Sequence, residues 1–312
     1  MKTLSLESTP SVNAFAFKSA LALFGQFIGA TVAYIVSLAI ASALLPMPQS
    51  ILEKTPEVGM MSLPAAMLFN GAVNAVILLW VARRSSLKGF ALAGQLFLVS
   101  FLTQSFQTQI ETGYFLSAFP LLNGNYEVYR LMLRGAIACA VFVLMVTLFV
   151  GGFSRKPREV ATFTVHADQF LKAGAWLAIV YVALYMLFGY FVAWQSQTLR
   201  VFYGGPAELN SLLNQWSTAL MNMPELPVFQ YFRGFLWIVC LIPLFKGFTG
   251  RRVELVILSA LVLGLLPTVG LAFPNPLMPA EVSLYHFWEV SISTGLFGAF
   301  GAWFVPTKLV VN

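Results

Sequence analysis

The chain has 312 residues, 59% of them hydrophobic and only 10% charged, with a net charge of +6. A soluble domain carries about 25% charged residues, so this composition excludes an ordinary globular protein. The positive balance does not indicate nucleic acid, because Lys and Arg fall in short clusters between apolar runs, where orientation signals belong. Those runs reach about 20 residues and do not alternate. They predict an all-α, polytopic membrane protein of eight transmembrane helices, not a barrel.

Residues 1–17 are polar and rich in Ser and Thr. The first span runs from Ala20 to about Leu45, too long for the 7–15-residue core of a signal peptide, so it reads as a retained anchor. A loop with Pro46, Pro48 and Pro56 leads to the second span, Pro64 to Ala82, which ends on Arg83-Arg84. The third span is Gly89 to about Glu111, and the fourth Glu127 to Phe153, followed by Arg155-Lys156-Pro157-Arg158. The fifth span is Phe170 to Trp194. The loop over 195–228 holds apolar residues at helical spacing from Leu209 to Met223, which predicts an amphipathic helix at about 207–223, opened by Pro206. The sixth span is Val228 to Phe248, the seventh Val253 to Phe273, and the eighth Glu281 to Val305.

Lys2, Lys18, Arg83, Arg84, Lys88, Arg155, Lys156, Arg158, Lys246, Arg251, Arg252 and Lys308 all fall at span ends of one parity. That parity is cytoplasmic by the positive-inside rule, which puts both termini inside and the chain in a plasma membrane, the inner membrane of a bacterium. Within one membrane domain over 1–312, two four-span halves, 1–160 and 161–312, are suggested by short echoes. Ala118-Phe-Pro and Glu127-Val recur at the same spacing as Ala272-Phe-Pro and Glu281-Val, and Phe69-Asn-Gly71 resembles Phe232-Arg-Gly234. Four spans is an even number, so such halves run parallel about an axis along the membrane normal. In this register His286 falls opposite Met132 and Glu289 opposite Gly135.

Polar side chains in hydrocarbon are costly and face a protein interior or a water-filled cavity. Span three carries Ser100, Gln104, Gln107 and Glu111 on one helix face. Span four adds Arg130 and Arg134, span two Asn70 and Asn74, span six Gln230 and Arg233, and span eight His286, Glu289 and Ser293. Nearly all lie in the outer half of the bilayer, within ~15 Å of that surface at the helical rise. They predict a polar cavity open to the outside and closed below by apolar side chains, with the amphipathic helix as a cover. In the catalytic reading, His286, oriented by Glu289, and Glu111 do acid–base work. Arg130, Arg134 and Arg233, with Gln104, Gln107 and Asn70, bind an anionic, lipid-like amphiphile. If a metal is present, His286, Glu289 and Glu111 are its ligands, although one histidine is few for zinc or iron. No phosphate-binding loop or nucleophile motif is present, so no cofactor is assigned. Cys139 and Cys240 each sit mid-span and read as small buried hydrophobes. The alternatives are a secondary transporter of a small anion, and a structural or assembly subunit in which Arg–Glu pairs only hold helices together.

Overall fold

A computed structural model of the chain describes residues 12–154, 162–305 and 307–310. Lys2 and the Arg155–Arg158 cluster, both used in the orientation argument, lie outside the described residues. The fold is all-helical, apart from a two-stranded ribbon. In chain order the helices are α1 (Val12–Leu44), α2 (Gln49–Leu52), α3 (Leu63–Arg84), α4 (Gly89–Phe101), α5 (Gln107–Tyr114) and α6 (Asn125–Phe149). After strand β1 (Thr162–Val165) come α7 (Ala167–Phe191), α8 (Gln197–Phe202), α9 (Leu212–Asn222), α10 (Leu226–Gly247), α11 (Arg252–Gly264) and α12 (Ala280–Phe304). Strand β2 (Thr307–Val310) then pairs antiparallel with β1, Thr162 opposite Val310.

Six helices are long and apolar enough to cross a membrane: Ser19–Leu44, Leu63–Arg84, Gly89–Tyr114, Asn125–Phe149, Ala167–Gln195 and Leu226–Gly247. Their outward faces explain why such a surface needs lipid. On α1 the exposed side chains are Leu21, Phe24, Ile28, Val32, Val36, Ile40 and Leu44, an apolar stripe at helical spacing. A stripe of this kind is an aggregation hazard in water and an ordinary surface in a bilayer. The opposite face, with Ala30 and Ala33, is buried against α3 and α6. The chain is therefore a membrane-embedded protein.

Two helices depart from a simple span. The third crossing changes to a π-helical turn at Leu102–Phe106 between α4 and α5. The region read as a single seventh span is broken: α11 stops at Gly264 after 13 residues, a turn follows, and a 3-10 helix covers Val269–Ala272. Pro267 explains the break, because it supplies no N–H and clashes with the preceding turn. Helix α12 has 25 residues, about 37 Å at the helical rise, but Glu289, two tryptophans and its glycines and serines lower its apolarity.

Pairs of helices match in size and setting. Helices α3 and α10 each have 22 residues and open on Leu63-Pro64 and Leu226-Pro227. Helices α6 and α12 each have 25, and α4 and α11 each have 13. Helix α1 packs on α3 and α6, as α7 packs on α10 and α12; α4 meets α6 as α11 meets α12. Across the middle, α4 touches α10 and α3 touches α11. There Ser85 and Phe248 bridge: the Ser86 N–H donates to the Gly247 carbonyl and the Thr249 N–H to the Arg84 carbonyl, both at 2.8 Å. With α3 laid on α10 end to end, these two bonds exchange places.

The core is apolar and lies toward the end of the bundle where Arg83, Arg84, Lys88, Lys246, Arg251 and Arg252 gather. Trp237, Ile238, Leu241, Leu244 and Phe245 of α10 are buried there with Leu92, Leu96 and Val99 of α4 and Leu255, Leu258 and Val262 of α11. The polar cluster lies beyond this layer, toward the other end.

Candidate functional site

Two polar contacts define the centre of the site. Arg233 of α10 and Glu111 of α5 form a bidentate ion pair, Nη1–Oε1 2.6 Å and Nη2–Oε2 2.7 Å. The arginine is 3% exposed. Its Nη1 also donates to Gln230 Oε1 at 3.3 Å, and its guanidinium stands 5.8 Å from the Trp237 ring. Both the fork geometry and the ring favour Arg over Lys at this place. The second contact is a chain of three groups: Tyr203 Oη lies 2.9 Å from His286 Nε2, and His286 Nδ1 lies 3.0 Å from Glu289 Oε2. The i, i+3 spacing of His286 and Glu289 on α12 gives the second of these bonds directly.

Tyr203 is the residue the sequence reading missed. It ends α8, where Gly204 at φ +76° turns the chain away. Two hydroxyls, Ser196 Oγ and Thr198 Oγ1, each donate to the Glu281 carboxylate at 2.7 Å and tie α8 to the first turn of α12. Phe115 packs edge-on against the Tyr203 ring, 5.5 Å between centroids. Burial, with the negative charges of Glu111 and Glu289, pushes the Tyr203 phenol well above its ordinary value, so it remains protonated and donates. His286 thus has one ring nitrogen on the phenol and the other on the Glu289 carboxylate. The one sequence signal for this residue was Gly204-Gly205 following an aromatic in the covering loop.

These groups surround a cavity of about 270 Å³ lined by Glu111, Arg233, Trp237, Tyr203, His286, Gln104, Thr108 and Thr268, and roofed by Phe115, Leu277 and Met278. Glu289 stands beside it, lining a smaller space of about 60 Å³ with Glu111, Tyr185 and His286. Several buried polar atoms nearby have no partner among the described residues: Gln104 Nε2, Gln109 Oε1, Gln230 Nε2 and Arg233 Nε. Orphaned polar atoms are rare in a native interior and mark places where water or a ligand is bound.

Of the sequence-predicted residues, the structure brings His286, Glu289, Glu111, Arg233 and Gln104 together. Gln107 lies just below, buried, donating to the Arg233 carbonyl at 3.4 Å. Asn70 is elsewhere: it is fully buried in α3, Nδ2 donating to the Ala66 carbonyl. Arg130 leaves the site altogether, paired at 3.3 Å with Glu127 and donating to the Pro46 carbonyl at 2.7 Å. Arg134 turns toward α1, donating to Ser42 Oγ at 2.5 Å. Helices α6 and α12 do not pack face to face: α3, α4, α10 and α11 take the middle and leave α6 against α1 and α12 against α7. Among the described residues no three His, Cys, Asp or Glu side chains gather to hold a metal, and the Glu111 carboxylate is occupied by Arg233.

The covering loop also differs from expectation. Its amphipathic helix starts at Leu212, not near residue 207. Buried Arg200 donates to the carbonyls of Trp194, Pro206 and Ala207, which holds that stretch irregular. Helix α9 then lies on α7, with Trp216 Nε1 donating to the Met186 carbonyl. Its Trp216 lines an apolar groove formed by α7 and α10, and Tyr203, just after α8, lines the polar cavity instead. No protein-family model matches the chain, and no curated protein or solved structure is similar to it.

Proposed function

We propose that the chain crosses a plasma membrane eight times, with both termini cytoplasmic, and acts on or binds an anionic amphiphile in the cavity around His286. The observation that carries this reading is the Tyr203–His286–Glu289 chain facing the Glu111–Arg233 pair across one cavity. An imidazole held between a phenol and a carboxylate is oriented to move a proton. Arg233 lines the same space, its Nε without a partner among the described residues. Supporting the eight crossings, the clustered basic residues lie at one end of the bundle and the polar cavity at the other. The matched helices and the exchanging bonds at Ser85 and Phe248 support two parallel four-span halves.

The test is chemical. The full chain and its Glu289→Gln variant are purified from the same membranes, and retained lipids and metals are identified by mass spectrometry. An amphiphilic anion enriched in one and not the other is expected, because Glu289 sets the charge beside the site. Equal content in the two would leave Glu289 a structural residue and remove the reading.

A second reading is favoured by one observation. The π-helical turn at Leu102–Phe106 and the break after Gly264 fall at the same place when α4 is laid on α11, and paired discontinuities in the two halves are the mark of transporter sites. Uptake of a labelled anion into vesicles that depends on Glu111 and Arg233 would support transport over chemistry at the site.

A further inference from the structure

A second cavity lies beside the first, and its character is different. It has a volume of about 620 Å³ and runs between α1, α3 and α6, within the usual range for ligand pockets of roughly 300–1,000 Å³. Leu38, Leu52, Leu63 and Met67 make its walls largely apolar, and Leu52 and Leu63, at the ends of α2 and α3, are exposed. One charge enters it, Arg134. Among the described residues no carboxylate pairs with this arginine; its partner is the neutral Ser42 hydroxyl. A half-buried guanidinium without a counter-ion is costly in a membrane interior, and an oxyanion is the partner its geometry fits. Gln104, with its unpartnered Nε2, and Gln109, with its unpartnered Oε1, line this cavity and the central one alike, as do Leu131, Pro267 and Gly270. The two spaces are neighbours across a shared wall.

The match between the halves gives this groove a meaning. With α1 laid on α7 by their C-terminal ends, Tyr34 falls on Tyr181. With α6 laid on α12 end to end, Arg134 falls on Glu289, Ala138 on Ser293 and Phe142 on Phe297. The helix boundaries thus move the register by one residue from the one suggested by the loop sequences, which had placed Gly135 opposite Glu289. The aromatic contacts support the new register: Tyr34 meets Phe142 edge-on at 5.3 Å and Tyr181 meets Phe297 at 5.1 Å. The groove is lined by Tyr34, Arg134, Ala138 and the residues beside them, and a small space next to the central cavity is lined by Tyr181, Glu289 and Ser293. These are twin positions. One twin carries the carboxylate that orients His286, and the other carries a cation in an apolar trough.

We propose that the groove between α1, α3 and α6 is a lipid-binding subsite, in which Arg134 holds the phosphate or carboxylate headgroup of an anionic membrane lipid whose alkyl chain lies along Leu38, Leu52 and Met67. It rests on the reading of the central cavity as a site for an anionic amphiphile, and it names where that molecule enters and what holds its charge. The groove is open at Leu52 and Leu63, at the ends of α2 and α3, and the ligand's head reaches the wall shared with the His286 cavity.

The experiment uses the full chain in lipid nanodiscs and native mass spectrometry, with phosphatidylglycerol, phosphatidylcholine and inorganic phosphate as probes. Retention of phosphatidylglycerol over phosphatidylcholine is expected, and Arg134→Gln weakens it by about tenfold or more, the scale of a charge-assisted hydrogen bond. Met67→Trp fills the trough without touching the charge and weakens lipid binding as well, which separates loss of the site from loss of fold when the melting temperature is followed in parallel. Lipid retained equally by wild type, Arg134→Gln and Met67→Trp would overturn the subsite. Loss of lipid in His286→Ala but not in Arg134→Gln would also overturn it, while leaving the central reading standing, because the headgroup would then sit in the other cavity. Binding of inorganic phosphate as tightly as the lipid would overturn the lipid assignment.

Discussion

Arg233 and Glu111 show how a single pair of charges is tolerated in this interior. Each would be prohibitive alone; together they make two short bonds and leave only the arginine Nε unpartnered. Removing Glu111 strands the buried Arg233, which destabilises by up to about 3–5 kcal/mol, less as far as water reaches the half-buried end of the pair. Glu111→Gln therefore lowers the melting temperature of the purified chain substantially, and the double variant Glu111→Leu with Arg233→Met recovers most of it; a double variant as unstable as the single one would show that the pair is not the cause. Tyr203 works on a smaller scale. Its phenol makes one hydrogen bond to His286, worth about 0.5–1.5 kcal/mol, so Tyr203→Phe changes stability little. It frees Nε2, however, and nitrogen-15 spectra of the labelled histidine shift; an unchanged spectrum would mean that the contact is absent in the membrane. The sequence exposed His286 and Glu289 through their spacing on one helix. It all but hid Tyr203, because in the loop over 195–228 only the glycines after it mark which aromatic folds back.

At the scale of elements, the helices meet where side chains are small. A Cβ on Gly135 of α6 would stand 2.2 Å from Ser105 Oγ, so glycine there lets α6 lie against the π-helical turn. A Cβ on Gly298 of α12 would stand 2.4 Å from the Ser259 backbone carbonyl of α11. Close approach through small residues is how membrane helices gain packing contacts. Gly135→Ala is expected to destabilise by about 1–3 kcal/mol, the usual size for overpacking, and Ser105→Gly in the same chain to relieve it. Gly298→Ala has no such remedy, because the obstacle is backbone, and the double variant Gly298→Ala with Ser259→Gly melts as low as the single. Full rescue of that pair would place the clash on the serine side chain instead. The interruptions at Leu102–Phe106 and after Gly264 were invisible as a pair in the sequence. Pro267 announces one, but the other contains no proline or glycine, and a π-helical turn depends on what packs against it.

For the whole molecule, the arrangement of ends can be tested directly. Cysteine at Lys54 and at Lys88 lies on opposite sides in the proposed topology, and a membrane-impermeant thiol reagent applied from outside labels the first and spares the second. Labelling of both from one side would break the eight-crossing arrangement. The central bridge offers an independent check on how the halves meet. Ser85 and Phe248 are directly opposed without a mutual hydrogen bond, a setting in which Cα atoms approach to about 4.5 Å, within disulfide range. Ser85→Cys with Phe248→Cys is expected to cross-link on oxidation. The membrane character, six of the eight spans read from the sequence and the gathering of polar residues toward one end were legible in composition and spacing, because each is set by local sequence and by the energy of putting polar groups in hydrocarbon. Which polar residues share a cavity was not legible, because helix rotation and helix neighbours fix it. Arg130, Arg134 and Arg233 look alike in the chain, yet one pairs at the rim with Glu127, one enters an apolar groove, and one is locked to Glu111. That choice belongs to the tertiary structure: α3, α4, α10 and α11 fill the middle of the bundle, and only the side chains that face it can meet.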